Sequence, residues 1–299
     1  MLLKQHKFIQ YLLAKGPLAR ALYMAVALTW MLNAMAGIAY SQMEFNAATY
    51  NLRLNTPDDG PNAWPLRRDT VRALINYHQI DLLGTQEGLM DQVEDLALMP
   101  GFAYVGVGRD DGKRAGEHSA IFYRAARFEL LAHGDFWLSE TPAVPGKGWD
   151  ATCCNRISSW AKLRERRSRQ VFYVFSVHFD HQGVIARRES AHLMLREMHD
   201  IAGEHPVLCL GDFNATPESE PISIMSAAMR DARTVSQTAP YGPVGTFNDF
   251  KIDAPLKERI DYIFLGPRWQ VLRYAALTDT HEARFPSDHL PVVARLRLE

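Results

Sequence analysis

Five short polar clusters in this chain each lie at the end of, or just after, an apolar run that is typical of a buried β-strand. The clusters are residues 50–51, 86–87, 178–181, 211–214 and 287–289. Carboxylates, amides and imidazoles cost free energy when they are buried without partners. Their recurrence at strand ends therefore predicts that several strand ends converge on one polar site. Oxygen ligands for a hard cation, together with histidines, are typical of metal-assisted phosphoester hydrolysis.

The same clusters carry a resemblance to a known family. The chain resembles the endonuclease/exonuclease/phosphatase superfamily, the deoxyribonuclease-I-like metal-dependent phosphoesterases. The matching pieces are Thr49-Tyr50-Asn51-Leu52-Arg53, Gly84-Thr85-Gln86-Glu87, Ser176-Val177-His178-Phe179-Asp180, Gly211-Asp212-Phe213-Asn214, Arg259-Ile260-Asp261-Tyr262-Ile263 and Ser287-Asp288-His289-Leu290-Pro291. They follow the family's order along the chain. A further pattern over 116–123 resembles a secreted bacterial branch of the superfamily.

The first 41 residues differ from the rest of the chain. They contain four basic residues and no acidic residue, and an apolar run over 21–39 ends in small residues. This pattern predicts a secretory signal peptide, and hence a periplasmic or extracellular protein. A membrane anchor that holds the protein on the exterior is the alternative, because the run approaches the length that spans a bilayer. No linker or repeat divides residues 42–299, which are predicted to form one catalytic domain.

The charge outside this segment bears on the substrate. Because four of the 33 Lys and Arg residues and none of the 34 acidic residues lie in 1–41, residues 42–299 carry a net charge near −5. Proteins that bind duplex nucleic acid gain affinity when Lys and Arg release phosphate counterions. A mildly acidic domain is poorly suited to such a polyanion. The arginines over 164–169 are interpreted as an exposed hairpin tip, with a basic patch as the alternative.

Apolar periodicity and turn residues predict a mixed α/β domain. Strands are expected at 45–52, 81–85, 102–107, 119–123, 128–131, 157–163, 171–177, 207–210, 260–265 and 292–298, and helices at 65–77, 88–99 and 186–201. Strands outnumber helices, which favours helices outside two sheets. The family resemblance implies a four-layer α/β/β/α sandwich, in which two mixed β-sheets are flanked by helices.

The resemblance implies a divalent cation held by carboxylates. It assigns Glu87 as the main ligand, and Asp288 is the expected second ligand. A bound cation neutralises phosphate oxygens and stabilises the leaving group. Mg²⁺ suits this role because it takes carboxylate oxygens and keeps several waters, with Mn²⁺ as the alternative. Without the resemblance, Glu87 would equally fit a helix N-terminal residue that interacts with the helix dipole.

The resemblance also implies the acid/base residues. His289 is the expected general acid/base, because the unperturbed pKa of histidine lies near neutrality. Asp261 is its implied carboxylate partner, which would fix the tautomer of the ring. Asp212 is expected to orient or activate the attacking water. Each of these residues, taken alone, would more often be a structural polar group.

Three further residues are expected beside the phosphate. Asn214 is expected to contact the phosphoryl oxygens, although Gly-Asp-Phe-Asn also makes a good Asx turn. His178 would donate to a non-bridging oxygen. Asn51 is expected to hydrogen-bond either a ligating carboxylate or Asp212.

Two segments are expected to contact the substrate. Arg156 precedes a predicted strand and suits a bidentate contact to phosphate. Glu117 and His118 end a polar loop, and with Trp137 and Trp149 they would form a pocket rim that suits a sugar or a small polar head group. Core packing is the alternative for the two tryptophans. Adjacent Cys153 and Cys154 and the apolar-run residue Cys209 are assigned no function.

Several functions compete on these residues. The leading prediction is a secreted magnesium-dependent phosphoesterase that acts on a small or carbohydrate-linked phosphodiester or monoester. A secreted metal-dependent nuclease is the alternative. A phospholipid phosphodiesterase would need an exposed apolar hairpin, which the sequence does not indicate, and a non-catalytic binding module would not need the intact polar set. No obligate protein partner is predicted.

Overall fold

The computed structural model describes residues 43–299 and the isolated positions 16, 21 and 24. The chain divides into two units, Met1–Ser41 and Gln42–Glu299, and the second is the subject below. The predicted signal peptide or membrane segment over 1–41 lies outside the described residues. Among the residues that the structure describes, no helix is long and apolar enough to cross a membrane.

Residues 43–299 form twelve strands, four α-helices and one 3₁₀ helix. The strands are β1 Met43–Asn51, β2 Leu82–Gln86, β3 Phe102–Val105, β4 Ile121–Arg124, β5 Phe128–Trp137, β6 Ile157–Glu165, β7 Val171–His178, β8 Val207–Asp212, β9 Arg230–Asp231, β10 Asp261–Leu265, β11 Trp269–Ala276 and β12 Val292–Leu298. The helices are α1 Trp64–Tyr77, α2 Met90–Ala97, α3 Val184–Ala202 and α4 Glu220–Ala228, with the 3₁₀ helix at Pro57–Asn62.

The strands form two mixed sheets of six strands each. The first sheet has the order β11-β12-β1-β2-β4-β3, and the second has the order β5-β6-β7-β8-β10-β9. Each sheet contains one parallel pair at its centre, β1 with β2 and β7 with β8, while the other pairs are antiparallel. In each sheet, the two central strands therefore run in the same direction and have their carboxyl ends side by side.

Three hydrophobic clusters separate four layers. The central cluster lies between the sheets, where the Phe45 ring packs 5.6 Å from Phe172 of the facing sheet, centroid to centroid. A second cluster packs α3 and α4 against the second sheet, and a third packs α1 and α2 against the first. The predicted α/β/β/α sandwich is confirmed.

Gly84 of β2 marks a close approach between the two sheets. A Cβ atom at this position would lie 3.0 Å from Leu210 Cβ and 3.0 Å from Ser176 Oγ, both in the second sheet. Gln86 continues the contact, because its Nε2 donates to Ser176 Oγ at 3.3 Å. The sheets thus approach each other closely beside the strand ends that carry the polar clusters.

Four elements were not predicted from the sequence, namely the 3₁₀ helix, β9, β11 and α4. Strand β11 contains an irregularity in its pairing with β12 between Val271 and Arg273, which breaks the alternation that would have indicated a strand. Helix α4 is only nine residues long and begins with Glu220-Pro221, so its apolar positions span too few turns for a clear period. Strand β5 also extends beyond its predicted end, to Trp137.

Candidate active site

The polar clusters converge because the central strands end together. Asn51 ends β1, His178 ends β7 and Asp212 ends β8, while Asp261 begins β10. The pairing places Asp212 opposite both His178 and Asp261 in the second sheet. Glu87 follows directly after β2. These polar groups share one edge because the buried strands that carry them are paired and end there.

Asn51 joins the two sheets through its side-chain amide. Its Nδ2 donates to Glu87 Oε1 at 3.0 Å and to Asp212 Oδ2 at 3.0 Å. Glu87 Oε2 also accepts from the backbone N–H of Leu54 at 3.2 Å. The Glu87 backbone has a φ of 62°, in the left-handed region that non-glycine residues adopt infrequently. Such a residue commonly marks a functional turn, and here it aims the carboxylate at the second sheet.

His289 and Asp261 form a buried pair. His289 Nδ1 lies 2.9 Å from Asp261 Oδ2, and His289 Nε2 lies 3.8 Å from Asp212 Oδ2. Burial opposes the charged form of His289, but the Asp261 and Asp212 carboxylates outweigh it and raise the pKa of His289 well above its usual value. Phe247 covers the imidazole, with its ring centroid 5.2 Å away. The arrangement can hold a proton on His289 Nε2 and direct it toward the cavity.

His178 and Asn214 form the opposite wall of the site. Asn214 Nδ2 lies 3.1 Å from His178 Nε2 and donates to the carbonyl of Phe179 at 3.0 Å. Burial, reinforced by the nearby Arg156 guanidinium, lowers the pKa of His178 to about 3. His178 is therefore neutral at physiological pH, so one ring nitrogen carries an N–H and the other accepts a hydrogen bond.

The carboxylates at this edge suit a hard cation. Burial raises the pKa of Asp288 to about 6, with repulsion from Glu87 adding to the effect. Burial and repulsion from Asp261 likewise raise the pKa of Asp212. One ligand atom each from Glu87, His178 and Asp212 also lie within 4.8 Å of one another. A divalent cation would relieve this repulsion, and the oxygen-rich set fits one.

A cavity of about 510 Å³ opens over these groups. Glu87, Asp212, Asp288 and His289 line it on the side of the carboxylates. The other lining residues are Arg53, Leu54, Asp59, Arg109, Glu117, Cys153, Cys154, Arg156, His178, His181, Asn214, Phe247, Asp249, Phe250, Glu258 and Ile260. The cavity therefore combines the strand-end cluster with a group of polar side chains, Arg109, Glu117, Arg156 and His181, which we call the polar extension.

Arg156 lies at the start of this extension. It is buried, its Nη1 lies 3.0 Å from His178 Nδ1, and its Nη2 lies 2.6 Å from His181 Nδ1. Its Nε lies 3.4 Å from Asp180 Oδ2. Glu117 lies nearby, with its Oε2 3.7 Å from His178 Nδ1. Both predicted substrate residues thus face the cavity.

His118 does not face the cavity, contrary to expectation. The residue is 1% exposed, and its Nδ1 lies 3.1 Å from the carbonyl of Gly88. Side chains of neighbouring residues on an extended segment point to opposite sides, so Glu117 and His118 diverge. Neither expected tryptophan lines the cavity, since Trp137 Nε1 donates to the carbonyl of Arg109 at 2.6 Å and Trp149 packs in the second sheet's outer cluster.

Two residues that shape the site were not predicted. Thr246 is fully buried, and its Oγ1 donates to Asp261 Oδ2 at 2.6 Å. Arg109 lines the cavity and its Nη1 donates to Glu117 Oε2 at 2.5 Å. Both lie in segments without regular secondary structure, so no periodic signal indicated either one.

Comparisons with known proteins agree with this geometry. Residues 48–289 match the model of the Endonuclease/Exonuclease/phosphatase family. The crystal structure of an endonuclease/exonuclease/phosphatase family protein from Bacteroides thetaiotaomicron is 38% identical, with a TM-score of 0.84; the match covers 87% of this chain and 99% of that one. The structure of mannosyl-6-phosphatase Bt3783 from Bacteroides thetaiotaomicron VPI-5482 is 39% identical, with a TM-score of 0.81 and coverage of 84% and 99%.

A curated relative matches over a shorter stretch. The uncharacterized protein L388 of Acanthamoeba polyphaga mimivirus is 29% identical over 160 residues. That match covers 50% of this chain and 59% of the relative, so the chain spans less than two thirds of the relative's length.

Proposed function

Because this chain belongs to the endonuclease/exonuclease/phosphatase family, whose members are phosphoester hydrolases, we propose that it is a magnesium-dependent phosphoesterase acting on a small or carbohydrate-linked phosphoester. The observation that carries the proposal is the amide of Asn51, which contacts both Glu87 and Asp212 and so unites the strand ends of two sheets. A chain that had lost catalysis would have no need to hold these buried carboxylates together.

The residues divide the chemistry among them. A cation bound by Glu87 and Asp288 would neutralise phosphate oxygens and stabilise the leaving group. Asp212, next to the cavity, orients the attacking water and accepts its hydrogen bond. His289 holds a proton at Nε2 under the influence of Asp261 and acts as the general acid/base.

His178 and Asn214 supply neutral donors to the non-bridging oxygens. A neutral imidazole N–H and an amide N–H stabilise negative charge that develops on those oxygens without repelling the cation. Arg156, which contacts His178, adds a charged donor at the border between the phosphate and the rest of the substrate.

A sugar phosphate is the substrate class that we favour. A mannosyl-6-phosphatase is 39% identical to this chain, and the match covers 84% of this chain. This similarity supports a related substrate. The polar extension of the cavity, with Arg109, Glu117 and His181, offers donors and acceptors for hydroxyl groups. The net charge near −5 of residues 42–299 also disfavours a duplex polyanion.

A competition experiment tests this proposal. The purified protein is given mannose 6-phosphate, small sugar phosphodiesters and plasmid DNA at equal phosphate concentration with Mg²⁺, and the products of each are followed. We expect turnover of a sugar phosphoester and little DNA cleavage. Rapid DNA degradation with untouched sugar phosphoesters would instead support a nuclease.

We also propose that residues 1–41 direct export of the chain, with the basic flank and apolar run over 21–39 as support. Fractionation of cells that express the full chain, followed by N-terminal sequencing, tests this. An exported form cleaved near residue 41 is expected for a signal peptide, and an exported uncleaved form for an anchor. A full-length protein confined to the cytoplasm would contradict both.

A further inference from the structure

The loop between β5 and β6, residues 138–156, brings two adjacent cysteines into the cavity. Cys153 and Cys154 form a disulfide and line the same cavity as Glu87, His178 and Asp288. Phosphoester hydrolysis at the carboxylate cluster needs neither sulfur atom. A disulfide placed at a catalytic cavity without a chemical role there calls for an explanation in terms of binding.

The protein holds this pair from both sides. Before it, the Asp150 carboxylate accepts from the backbone N–H of Ile185 at 3.1 Å and of Ala186 at 2.6 Å, in the first turn of α3. Thr152 Oγ1 also donates to Gln182 Oε1 at 2.6 Å.

After the pair, Asn155 Nδ2 donates to the carbonyl of Arg109 at 3.2 Å. The next residue is Arg156, whose guanidinium contacts His178 and His181. Hydrogen bonds thus hold the chain on both sides of the pair, and Arg156 follows Cys154 after a single intervening residue.

The neighbours of the disulfide define what it can contact. Arg109, Glu117, Arg156 and His181 line the same extension of the cavity and are all hydrogen-bonding groups. Divalent sulfur is polarisable and weakly polar. The disulfide is therefore less polar than the side chains of these four residues. A sugar ring presents hydroxyl groups around its edge and C–H groups on its face. Binding sites for such ligands combine apolar contact with a few placed polar groups.

We propose that the Cys153–Cys154 disulfide is a specificity-determining contact for the group that carries the phosphate, packing against that group while the neighbouring polar side chains bind its hydroxyls. This inference rests on the proposed phosphoesterase function and names the surface that reads the organic part of the substrate. Opening the disulfide loosens residues 150–156, so the fit to a sugar phosphate weakens more than the fit to a small aryl phosphate.

Reduction of the disulfide tests the inference on the unmodified chain. Dithiothreitol cleaves the S–S bond to two thiols and is itself oxidised to its cyclic disulfide, and mass spectrometry after alkylation confirms the change. The values of kcat and KM for mannose 6-phosphate and for p-nitrophenyl phosphate are then compared before and after reduction, with Mg²⁺ in excess. We expect the ratio of kcat/KM for sugar over aryl substrate to fall roughly threefold to tenfold, mainly through KM of the sugar phosphate.

Two variants separate this effect from side effects of the reductant. The double substitution C153S/C154S should show the lowered ratio without reductant and no further response to it. C209A removes the buried cysteine of β8, which lies outside the cavity, and should keep the full response. An equal response of C153S/C154S to the reductant would contradict the inference, as would an unchanged ratio in the reduced protein.

The result is distinguishable from a failure of the proposed substrate class. If no sugar phosphate is turned over, the proposed substrate is wrong, and the same comparison is made with the best phosphoester of the competition panel against p-nitrophenyl phosphate. The inference about the disulfide then fails only if reduction leaves that ratio unchanged or lowers kcat equally for both substrates.

Discussion

His289 Nδ1 lies 2.9 Å from Asp261 Oδ2 in the interior of the protein, where both side chains are nearly inaccessible to solvent. The two residues come from different segments of the chain. Asp261 begins β10, and His289 lies in the loop before β12. A carboxylate in this position fixes the tautomer of the imidazole and stabilises its protonated form. In the proposed mechanism, His289 of this pair acts as the general acid/base.

The first prediction concerns this pair. General acid/base help is worth roughly 10²- to 10⁴-fold in rate. We expect His289→Ala and Asp261→Asn each to lower kcat by a factor in that range, and the double variant to be little worse than the poorer single variant. Steady-state kinetics on all three proteins checks this. Losses that multiply would mean that the two residues act independently.

The second prediction concerns Thr246, which donates to the same Asp261 oxygen at 2.6 Å. Its Oγ1 also accepts from the backbone N–H groups of Ile260 and Asp261. Thr246→Val removes these contacts, and the loss of a buried hydrogen bond to a charged group costs about 1.5–3 kcal/mol. We expect lower thermal stability and a fall in kcat of about tenfold, since 1.4 kcal/mol of lost positioning corresponds to that factor.

Thr246→Ser is the matched control, because it keeps the hydroxyl and removes only a methyl group. It should retain most of the activity and most of the stability in parallel assays. If Thr246→Val retains as much activity as Thr246→Ser, the hydroxyl is dispensable, and the assigned contact to Asp261 has no catalytic consequence.

How much of the site was predictable depends on where each residue lies. Asn51, His178 and Asp212 end regular strands, so an apolar run followed by a polar residue indicated them. Thr246 acts from an irregular segment onto a residue 15 positions away, and no local pattern encodes such a contact. His118 was predicted to contact substrate because Glu117 and His118 end a polar loop near the expected site, but the extended backbone turns His118 to the other side.

The third prediction concerns metal binding. Glu87→Gln keeps the shape of the side chain and removes a charge that a hard cation requires. We expect weaker Mg²⁺ binding in isothermal titration calorimetry and a loss of at least roughly 10²-fold in kcat, with the circular dichroism spectrum unchanged. Glu94→Gln, at an exposed residue paired with Arg114, is the control and should behave as the parent protein. Normal Mg²⁺ affinity in Glu87→Gln would place the cation elsewhere.

The fourth prediction concerns the contact between the sheets at Gly84. An added methyl group would meet Leu210 Cβ and Ser176 Oγ at 3.0 Å, and overpacking of a core costs about 1–3 kcal/mol. Gly84→Ala should therefore lower the free energy of unfolding in urea by that amount. Gly146→Ala, where the nearest atoms are 3.8–3.9 Å away, should change it little. An unfolding free energy of Gly84→Ala equal to that of the parent protein would show that this contact accommodates a methyl group, contrary to the prediction.

The fold was predictable in its main features for physical reasons that also explain the gaps. Long apolar runs such as those of β7 and β8 indicated buried central strands. Strand β11 was not predicted because the irregularity between Val271 and Arg273 interrupts the alternation of its inward-facing and outward-facing side chains. The layering of two sheets came from the family resemblance, because periodicity identifies the faces of an element and not its partner across the core.

The metal dependence of turnover tests the proposed phosphoesterase mechanism. Product release from the best phosphoester of the competition panel is measured for the purified protein, after treatment with EDTA, and after Mg²⁺ is restored in excess. We predict that EDTA abolishes turnover and that Mg²⁺ restores it, because the proposed mechanism needs a cation on Glu87 and Asp288 to stabilise the leaving group. Full turnover in the presence of EDTA would contradict it.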